Sequence, residues 1–466
     1  MHPTNLAPFA ALAALAAGCR CDAPGGPGGG PGGVPQPAGA SASASASASA
    51  SGPAGASASA SASAGASGPA GAAASAAPAS PCGASAWLTY NHDGARTGAS
   101  DGCCRGPLRQ VWTARPRGAG RERPGVYYHA VADRDAVYAS GVIGQSPSVV
   151  RLSAASGDPA WAFDSRVDYA QATWPTLAPA LGRVVLSDDG FFLLDPASGA
   201  RVAKRGLDYW GQTASDGERI YYVNTSHVDG PGLFVGAADP DGAPLWQKNR
   251  FGSAPRDVTD EVGAIALAGA RLVHATRVRG GGPAGVFAFD AATGAPGWSA
   301  QVLPLGDPAA RDGRLYSAEQ AAAGPALLAR EVETGKPLWS APLRPGPIRR
   351  APVLTGGLVV LTERDGLRAL EAEGGRERWR ADVKLGLREA PPAATAVAAA
   401  EGSKTLVVAT ADEGLLVLDA RDGARLWQGR LEPPKAAPHS PVVVGSRVYV
   451  VAEGNLVALD CGPGAP

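Results

Sequence analysis

The feature of this sequence that most limits its possible folds is a short unit that recurs between about residues 86 and 461. In each copy an apolar run is followed by a glycine, and a tryptophan stands four residues after the glycine. A clear copy runs from Leu415 through Asp419 to Gly423 and Trp427. A unit that repeats at a fixed spacing cannot bury its apolar faces alone, so the copies must stack against one another. The same glycine–tryptophan pairs occur at Gly157 and Trp161, Gly242 and Trp246, Gly294 and Trp298, Gly335 and Trp339, and Gly375 and Trp379.

The spacing and content of the unit predict a four-stranded propeller blade. From Trp246 to Trp427 the successive tryptophans are 52, 41, 40 and 48 residues apart, which suits blades with loops of variable length. Within one unit Leu358–Thr362 predicts a strand and Asp365-Gly366 a tight turn, because glycine accepts the positive φ of such turns. The uninterrupted apolar runs favour strands that are buried on both faces, as stacked blades require.

This pattern resembles the PQQ-like (pyrroloquinoline-quinone-like) β-propeller repeat family, and the segment Trp87–Gly98 is similar to the usual start of such domains. Pro441–Asp460 supplies three strands, and Leu108–Trp112 supplies the missing fourth strand of the same blade. We therefore predict an all-β, eight-bladed propeller of four-stranded blades over residues 82–466. Its last blade is closed by the N- and C-terminal strands, which removes free sheet edges. Seven further units end at Trp161, Ala203, Trp246, Trp298, Trp339, Trp379 and Trp427.

The N-terminal residues predict export, anchoring and a tether. An apolar run over residues 6–17 precedes Gly18-Cys19, a pattern that is too short to span a bilayer and is typical of a signal peptide. We expect residues 1–18 to be a lipoprotein-type signal and Cys19 to be lipidated. A plain secretory signal is the alternative. Residues 19–81, almost entirely Ala, Gly, Ser and Pro, predict a disordered linker. Because Arg20 follows in place of an inner-membrane-retaining aspartate, the outer membrane is favoured, on its periplasmic or surface side.

Four cysteines lie beside the two chain ends that must meet in the last blade, and an exported chain permits disulfides. We expect one or two bridges at this closure, with Cys461 joined to the N-terminal segment. The adjacent pair has a second interpretation, because some quinoprotein alcohol dehydrogenases of the resembled family carry a vicinal disulfide against the quinone. We favour bridges to other cysteines near the closure. The candidates are Cys82, Cys103, Cys104 and Cys461.

The loops that lead into the innermost strands surround one mouth of a propeller channel and form the predicted partner or ligand face. Aromatic and arginine side chains, which are enriched in binding hot spots, occur there. The alternative is that these side chains only fill the channel. No spacing predicts a metal site or a catalytic motif. The residues of this predicted face are Tyr127, Tyr128, His129, Trp174, Tyr209, Trp210, Arg349, Arg350, Arg388 and His439.

The resemblance gives three hypotheses about function. A lipid-anchored PQQ-like propeller is similar to the non-enzymatic propeller lipoproteins of the outer-membrane β-barrel assembly machinery, which implies a scaffold that binds envelope proteins without a cofactor. The alternatives are an oxidoreductase that uses PQQ and calcium, and a propeller that senses a small ligand. The chain has 42 basic and 42 acidic residues, so its net charge gives no reason to expect nucleic acid as a partner.

Overall fold

The computed structural model describes residues 82–116, 125–143, 146–165, 174–188, 190–205, 211–226, 232–249, 264–277, 284–344, 350–385, 394–412, 414–431 and 438–462. These residues form 34 β-strands and one short 3₁₀ helix, Pro179–Leu181. Within these ranges no helix has the length and apolar character needed to cross a membrane.

The strands follow one another as short antiparallel hairpins, as the alternation of apolar runs and Gly/Asp turns predicts. The first fourteen are β1 Ala99–Ser100, β2 Leu108–Ala114, β3 Val126–Ala132, β4 Ala136–Ile143, β5 Ser146–Ser153, β6 Pro159–Asp164, β7 Thr176–Ala178, β8 Arg183–Asp188, β9 Gly190–Leu194, β10 Arg201–Arg205, β11 Thr213–Ser215, β12 Ile220–Ser226, β13 Gly232–Ala238 and β14 Pro244–Asn249. The next thirteen are β15 Ile265–Ala268, β16 Arg271–Thr276, β17 Gly285–Asp290, β18 Pro296–Ala300, β19 Leu303–Pro304, β20 Ala309–Arg311, β21 Arg314–Ala321, β22 Gly324–Glu331, β23 Pro337–Pro342, β24 Val353–Thr355, β25 Leu358–Glu363, β26 Gly366–Glu371 and β27 Glu377–Asp382. The last seven are β28 Val397–Ala400, β29 Thr405–Ala409, β30 Gly414–Asp419, β31 Arg425–Arg430, β32 His439–Val444, β33 Arg447–Ala452 and β34 Asn455–Cys461.

The strands form eight sheets, which confirms the predicted eight-bladed propeller. Blades 1 to 4 are β3–β6, β7–β10, β11–β14 and β15–β18, and blades 5 to 7 are β19–β23, β24–β27 and β28–β31. Two blades gain a fifth strand: β19 and β20 both pair with β21, and β1 pairs in parallel with β28. The apolar runs of the inner and middle strands are buried, for example all six residues of β30, because neighbouring blades cover both faces of each sheet.

Blade 8 joins the two ends of the propeller. It consists of β32, β33, β34 and, outermost, β2. The β2 strand runs antiparallel to β34, with Leu108 opposite Cys461 and Ala114 opposite Leu456. Two disulfides lie beside this closure: Cys82–Cys103 and Cys104–Cys461, with Cα–Cα distances of 5.2 and 5.1 Å. Cys461 is thus bonded to the N-terminal segment, and a bridge across 357 residues of chain restricts the unfolded state strongly.

The recurring glycine and tryptophan join one blade to the next. Trp246, in the outermost strand of blade 3, lies over Gly294 of blade 4, where a Cβ atom would come within 2.4 Å of the indole ring. Gly294 has a φ of +69°, so glycine meets both a conformational and a steric requirement. The indole Nε1 also donates a hydrogen bond to the backbone oxygen of Ala291, at 3.1 Å. Equivalent contacts place Trp112 on Gly157, Trp161 on Gly199, Trp298 on Gly335, Trp339 on Gly375, Trp379 on Gly423 and Trp427 on Gly106.

Each outermost strand carries a β-bulge just before the tryptophan position. In β14, for example, Trp246 pairs with Ala237 and Pro244 pairs with Ala238, so Leu245 is the extra residue. Leu245 is 51% exposed. The register shifts at the corresponding place in all eight blades. A bulge interrupts the regular pattern of hydrogen-bonding groups on an exposed edge strand and so opposes edge-to-edge aggregation.

Candidate functional site

We call residues 87–98 the N-terminal segment, and they line the axis of the propeller. Backbone N–H groups of six innermost strands donate hydrogen bonds to successive carbonyl oxygens of residues 87–98, at 2.7–3.1 Å. Blades 1, 2, 4, 5, 6 and 7 all contribute a donor. The segment then continues as β1, in parallel with β28 of blade 7. The donors and acceptors are Ala132 and Trp87, Leu177 and Leu88, Leu267 and Gly94, Ala310 and Ala95, Leu354 and Thr97, and Ala399 and Gly98.

Arg96 anchors this segment from within. Its side chain is fully buried, and its guanidinium donates to the backbone oxygens of Ile265 at 2.8 Å, Thr213 at 3.1 Å and Tyr90 at 2.9 Å. Burial lowers the pKa of Arg96 to about 10, so the guanidinium keeps its charge at neutral pH. The segment therefore occupies the axis with a charged side chain whose hydrogen bonds tie blades 3 and 4 together.

A set of polar and aromatic side chains lies further along the axis, towards the mouth predicted from the sequence. Five of them stand three or four residues before an innermost-strand residue that bonds to the N-terminal segment. A sixth, on blade 8, is close enough to affect the charge state of its neighbours. We call these six residues the channel ring: His129, Trp174, Asp307, Arg350, Thr395 and His439.

Tyr90 of the N-terminal segment connects to one side of the channel ring. Its hydroxyl donates to Asp307 Oδ2 at 2.8 Å and accepts from the backbone N–H of Ala351 at 3.3 Å. The Trp174 ring meets the Tyr90 ring edge-on, with centroids 5.7 Å apart, and His129 stacks on Trp174 at 4.7 Å. Residues from blades 2, 5 and 6 thus contact the Tyr90 side chain, and His129 of blade 1 packs behind Trp174.

The two histidines of the channel ring are neutral at pH 7. Burial lowers the pKa of His439 to about 4, and the nearby Arg350 contributes in the same direction. Burial, His439 and Arg350 together hold the pKa of His129 well below its usual value. Burial also raises the pKa of Asp307, against the hydrogen bond from Tyr90 and the charge of Arg350. The two imidazoles of the ring are therefore uncharged, and the guanidinium of Arg350 carries a positive charge.

Several residues of the sequence-predicted face are inside the channel and not on its surface. His129, Trp174 and His439 are at most 8% exposed. Tyr127 is 2% exposed and packs in the hydrophobic core, with its backbone N–H bonded to Gly454 of blade 8. Tyr128 and Arg350 are half-buried. Five of the predicted site residues lie outside the described residues: Cys19, Tyr209, Trp210, Arg349 and Arg388.

The cysteines do not form the vicinal pair of the quinoprotein hypothesis. Cys103 is bonded to Cys82 and Cys104 to Cys461, so the two adjacent cysteines are not bonded to each other. Among the described residues, no three histidine, cysteine, aspartate or glutamate side chains are placed to hold one metal ion. Calcium requires six to eight oxygen ligands, with carboxylates among them. The described residues therefore do not fit a calcium–quinone site of that kind.

Comparison with known proteins agrees with the repeat. Residues 282–466 match the family model described as outer membrane protein assembly factor BamB. This match supports the PQQ-like β-propeller family that the repeat resembles. No curated protein matches it by sequence.

Solved structures with the same fold include proteins of very different activity. BamB from Moraxella catarrhalis is 17% identical with a TM-score of 0.54, over 76% of this chain and 100% of that one. The quinohemoprotein alcohol dehydrogenase from Comamonas testosteroni is 15% identical with a TM-score of 0.59, over 82% and 81%. The computationally designed protein Ika8 is 15% identical with a TM-score of 0.54, over 72% and 96%. At these identities the likeness establishes the propeller fold alone.

Sequence reasoning missed the path of residues 87–100 and, with it, Asp307 and Thr395 of the channel ring. The motif from Trp87 to Gly98 was recognisable as a domain start, but its bonds go to strands far away in the sequence. Asn91, His92 and Arg96 adopt positive φ values, a conformation that no hydrophobic period signals. Asp307 and Thr395 lie in short Pro- or Ala-rich connections, where a single polar residue has no pattern.

Proposed function

We propose that this PQQ-like propeller is a lipid-anchored, non-catalytic scaffold of the outer membrane that binds envelope proteins, with β-barrel assembly components as the favoured partners. Lipidation at Cys19 and a linker over residues 19–81 would hold the propeller near the membrane. The domain that carries binding is residues 82–466.

The observation that carries this proposal is the filled axis. The backbone oxygens of residues 87–98 accept hydrogen bonds from six blades, and Arg96 is fully buried among them. An enzyme that worked at the axis would need an open cleft with a convergent set of reactive groups. Here the ring nearest the mouth contains two neutral imidazoles and a hydrogen-bonded Tyr90–Asp307 pair. Loops around the mouth are thus the favoured binding elements, as in other scaffolds whose function is carried by loops on a rigid core.

The family model that matches residues 282–466 supports the same choice, because its description is that of an outer membrane assembly factor. Similarity to a quinohemoprotein dehydrogenase is equally strong as a likeness of fold, and it keeps PQQ-dependent oxidation as the second candidate. The bonding of Cys103 and Cys104 to other cysteines speaks against that candidate. A ligand-sensing propeller is the third.

Copurification tests the proposal. Tagged full-length protein is recovered from detergent-solubilised envelopes, and its companions are identified by mass spectrometry. We expect β-barrel assembly components to be recovered with the wild type and lost with Arg388→Glu, which reverses one charge of the predicted mouth. Lys404→Glu is the matched control, because Lys404 is exposed in the turn after β28, at the opposite end of an innermost strand.

Two outcomes would contradict the proposal. Recovery of the protein alone would remove the scaffold hypothesis, and dye reduction with an alcohol after addition of PQQ and calcium would replace it with the oxidoreductase. Cys19→Ala tests the anchor separately: we expect the variant to leave the membrane fraction, and its retention there would contradict lipidation at Cys19.

A further inference from the structure

The first turn of a blade, between its innermost and second strands, lies at the end of the propeller opposite the predicted mouth. In blades 7 and 8 this turn is bound by residues 100–104 of the chain itself, which we call the covering segment. A Cβ at Gly402 of blade 7 would come within 2.6 Å of the Asp101 backbone oxygen, so the contact is close. Backbone N–H groups donate across this contact at 2.8–3.0 Å, from Glu401 to Ser100, from Gly402 to Gly102 and from Cys103 to Gly445.

The first turns of blades 4, 5 and 6 are open. A Cβ at Gly313 of blade 5, or at Gly356 or Gly357 of blade 6, would meet no atom within 4 Å beyond its chain neighbours. At Gly269 of blade 4 the nearest atom would be a carboxylate oxygen of Glu333, at 3.9 Å. Cavities of about 310 Å³ and about 190 Å³ lie between blades 4 and 5 and between blades 5 and 6. Because both cavities include the first turn of blade 5, they form one groove, which we call the open groove.

The open turns present the same backbone group that the covering segment uses. Gly445, the first residue of its two-residue turn, accepts a hydrogen bond from Cys103 through its backbone oxygen. Gly269, Asp312 and Gly356 hold the corresponding positions. Within the described part of the chain, no backbone N–H donates to the oxygens of these three residues. An extended polypeptide can therefore bind them through its own backbone N–H groups, as peptides do when they add to exposed backbone.

The larger cavity favours an apolar side chain from such a polypeptide. Its wall is mostly aliphatic, with Leu267, Ala268, Ala310 and Val332 among the lining residues. An apolar side chain that entered it would be removed from water, which is the main favourable contribution in most protein association. The volume of the cavity is at the lower end of the range for ligand pockets, so one side chain is the natural occupant.

The rim of the larger cavity is acidic. Asp312 and Glu333 line it, and their side chains are 85% and 55% exposed. The guanidinium of Arg311, which also lines the cavity, is held by two hydrogen bonds to Glu401, at 2.6 and 3.0 Å. A basic residue beside the apolar one is therefore favoured over an acidic one. In and around the cavity four carboxylates meet three guanidinium groups: Asp93, Asp312, Glu333 and Glu401, with Arg271, Arg311 and Arg314.

We propose that the open groove binds an extended segment of a partner polypeptide. Backbone N–H groups of the segment donate to the oxygens of the first turns, and an apolar side chain next to a lysine or arginine fills the larger cavity. The covering segment makes the same kind of contact on blades 7 and 8. The propeller thus has a second binding surface, at the end opposite the mouth that is proposed for envelope proteins, and this surface does not depend on the scaffold function.

Peptide selection tests the open groove. A library of random octapeptides displayed on phage is selected on the full-length protein, and enriched sequences are synthesised with a fluorescent label. Fluorescence anisotropy then gives their affinity for the wild type and for Gly269→Asn/Gly313→Asn. The double variant adds two side chains to the larger cavity, and asparagine tolerates the positive φ of both positions, +59° and +72°. Gly182→Asn is the matched control, since Gly182 lies in the first turn of blade 2 with a φ of +60° and equally open surroundings.

We expect the enriched peptides to share an apolar residue beside a lysine or arginine. They should bind Gly182→Asn like the wild type and bind the double variant about 10- to 100-fold more weakly, the usual effect of losing one buried apolar side chain. Asp312→Asn should weaken binding by up to about fivefold, because the carboxylate is exposed. N-methylation of a peptide N–H next to the apolar residue should weaken binding to the wild type by about 2- to 10-fold, a measurement that needs no variant of the protein.

Two results would overturn the inference: a selection that yields no peptide whose affinity falls in the double variant, and N-methylated peptides that bind as well as the unmodified ones. Copurification separates the open groove from the scaffold proposal. If envelope proteins are recovered with the wild type although no octapeptide binds the groove, only the inference fails. If octapeptides bind the groove but the protein is recovered alone, only the scaffold fails.

Discussion

The junction between blades 2 and 3 differs from the seven other blade junctions. At those seven, a tryptophan of one blade covers a glycine of the next. At this junction Ala203 stands in the tryptophan position, and two arginines of blade 2 replace the contacts of the missing tryptophan. Arg183 Nε donates to the backbone oxygen of Pro240 at 3.0 Å, and Arg205 Nη2 donates to that of Asp241 at 2.9 Å. Backbone oxygens in a turn of the next blade thus accept hydrogen bonds from an indole in one case and from guanidinium groups in the other.

The turn of blade 3 explains the exchange. In six other blades the glycine N–H bonds to the oxygen of the residue four positions earlier, as Gly294 does to Asp290. Gly242 instead bonds to Asp239, three positions earlier, because this turn is one residue shorter. In this shorter turn the carbonyl of Pro240, which follows Asp239 as Ala291 follows Asp290, accepts from Arg183 and not from an indole. The tryptophan thus goes with one turn length and not with the blade as such.

Trp246→Ala gives the largest expected effect. Trp246 is 8% exposed and packs between blades 3 and 4 with Phe289 and Tyr221. We expect the free energy of unfolding to fall by about 3–5 kcal/mol, as for other buried tryptophans. Denaturant unfolding measures it. The neighbouring Leu245→Ala is the control, since Leu245 is 51% exposed. A loss below about 1 kcal/mol for Trp246→Ala would show that the indole contributes little to the junction.

Gly294→Ala and Gly242→Ala compare the two kinds of junction directly. Both glycines have positive φ values, +69° and +80°, so alanine costs about 1–2 kcal/mol at either place. At Gly294 the new Cβ also lies 2.4 Å from the Trp246 ring, whereas at Gly242 the nearest atoms are 3.0 Å or more away and belong to the flexible ends of Leu193 and Arg205. We therefore expect about 2–4 kcal/mol for Gly294→Ala, by overpacking. If chemical denaturation showed the same loss of unfolding free energy for both variants, the indole would have no steric role at Gly294.

How far the sequence predicts this molecule depends on whether a feature repeats. The glycine–tryptophan unit predicted eight blades, and even the composite blade 8, because each unit needs the same partners. Ala203 was recognised as a substitution within the repeat, but the arginines that replace the indole were not. Arg183 and Arg205 stand on two different strands, β8 and β10, and neither has a counterpart in the other units that would draw attention to it.

The channel ring illustrates the same limit. Tyr127 and His129 were both predicted for the mouth because their loop leads into an innermost strand. Only His129 belongs to the ring, since the register of β3 shifts between Tyr127 and His129 and Tyr127 is buried in the core. A bulge changes which side chain points to which face, and no residue pattern in the strand reveals it.

Ala203→Trp asks whether the turn length decides the junction. The blade 2–3 interface is already filled by Leu193, Phe191 and Tyr222, and the Pro240 carbonyl of the shortened turn already accepts a hydrogen bond from Arg183. We expect Ala203→Trp to lower the unfolding free energy by about 1–3 kcal/mol through overpacking. Insertion of one alanine after Pro240 restores the common turn length. In that background Ala203→Trp should become stabilising, and a stabilising effect in the unaltered chain would contradict the turn-length explanation.

Arg183→Met measures the smallest effect, the contribution of one guanidinium to the exceptional junction. Arg183 donates to Pro240 and also pairs with Asp241, at 3.2 Å. Because the side chain of Asp241 is 74% exposed, the ion pair itself should contribute little. The hydrogen bond to a carbonyl that would otherwise lack a partner should account for about 1 kcal/mol. Asp241→Asn separates the two terms: it should change stability by less than about 0.5 kcal/mol. If Asp241→Asn cost as much as Arg183→Met, and the cost disappeared in high salt, the junction would be held by charge and not by hydrogen bonds to the backbone that replace those of the indole.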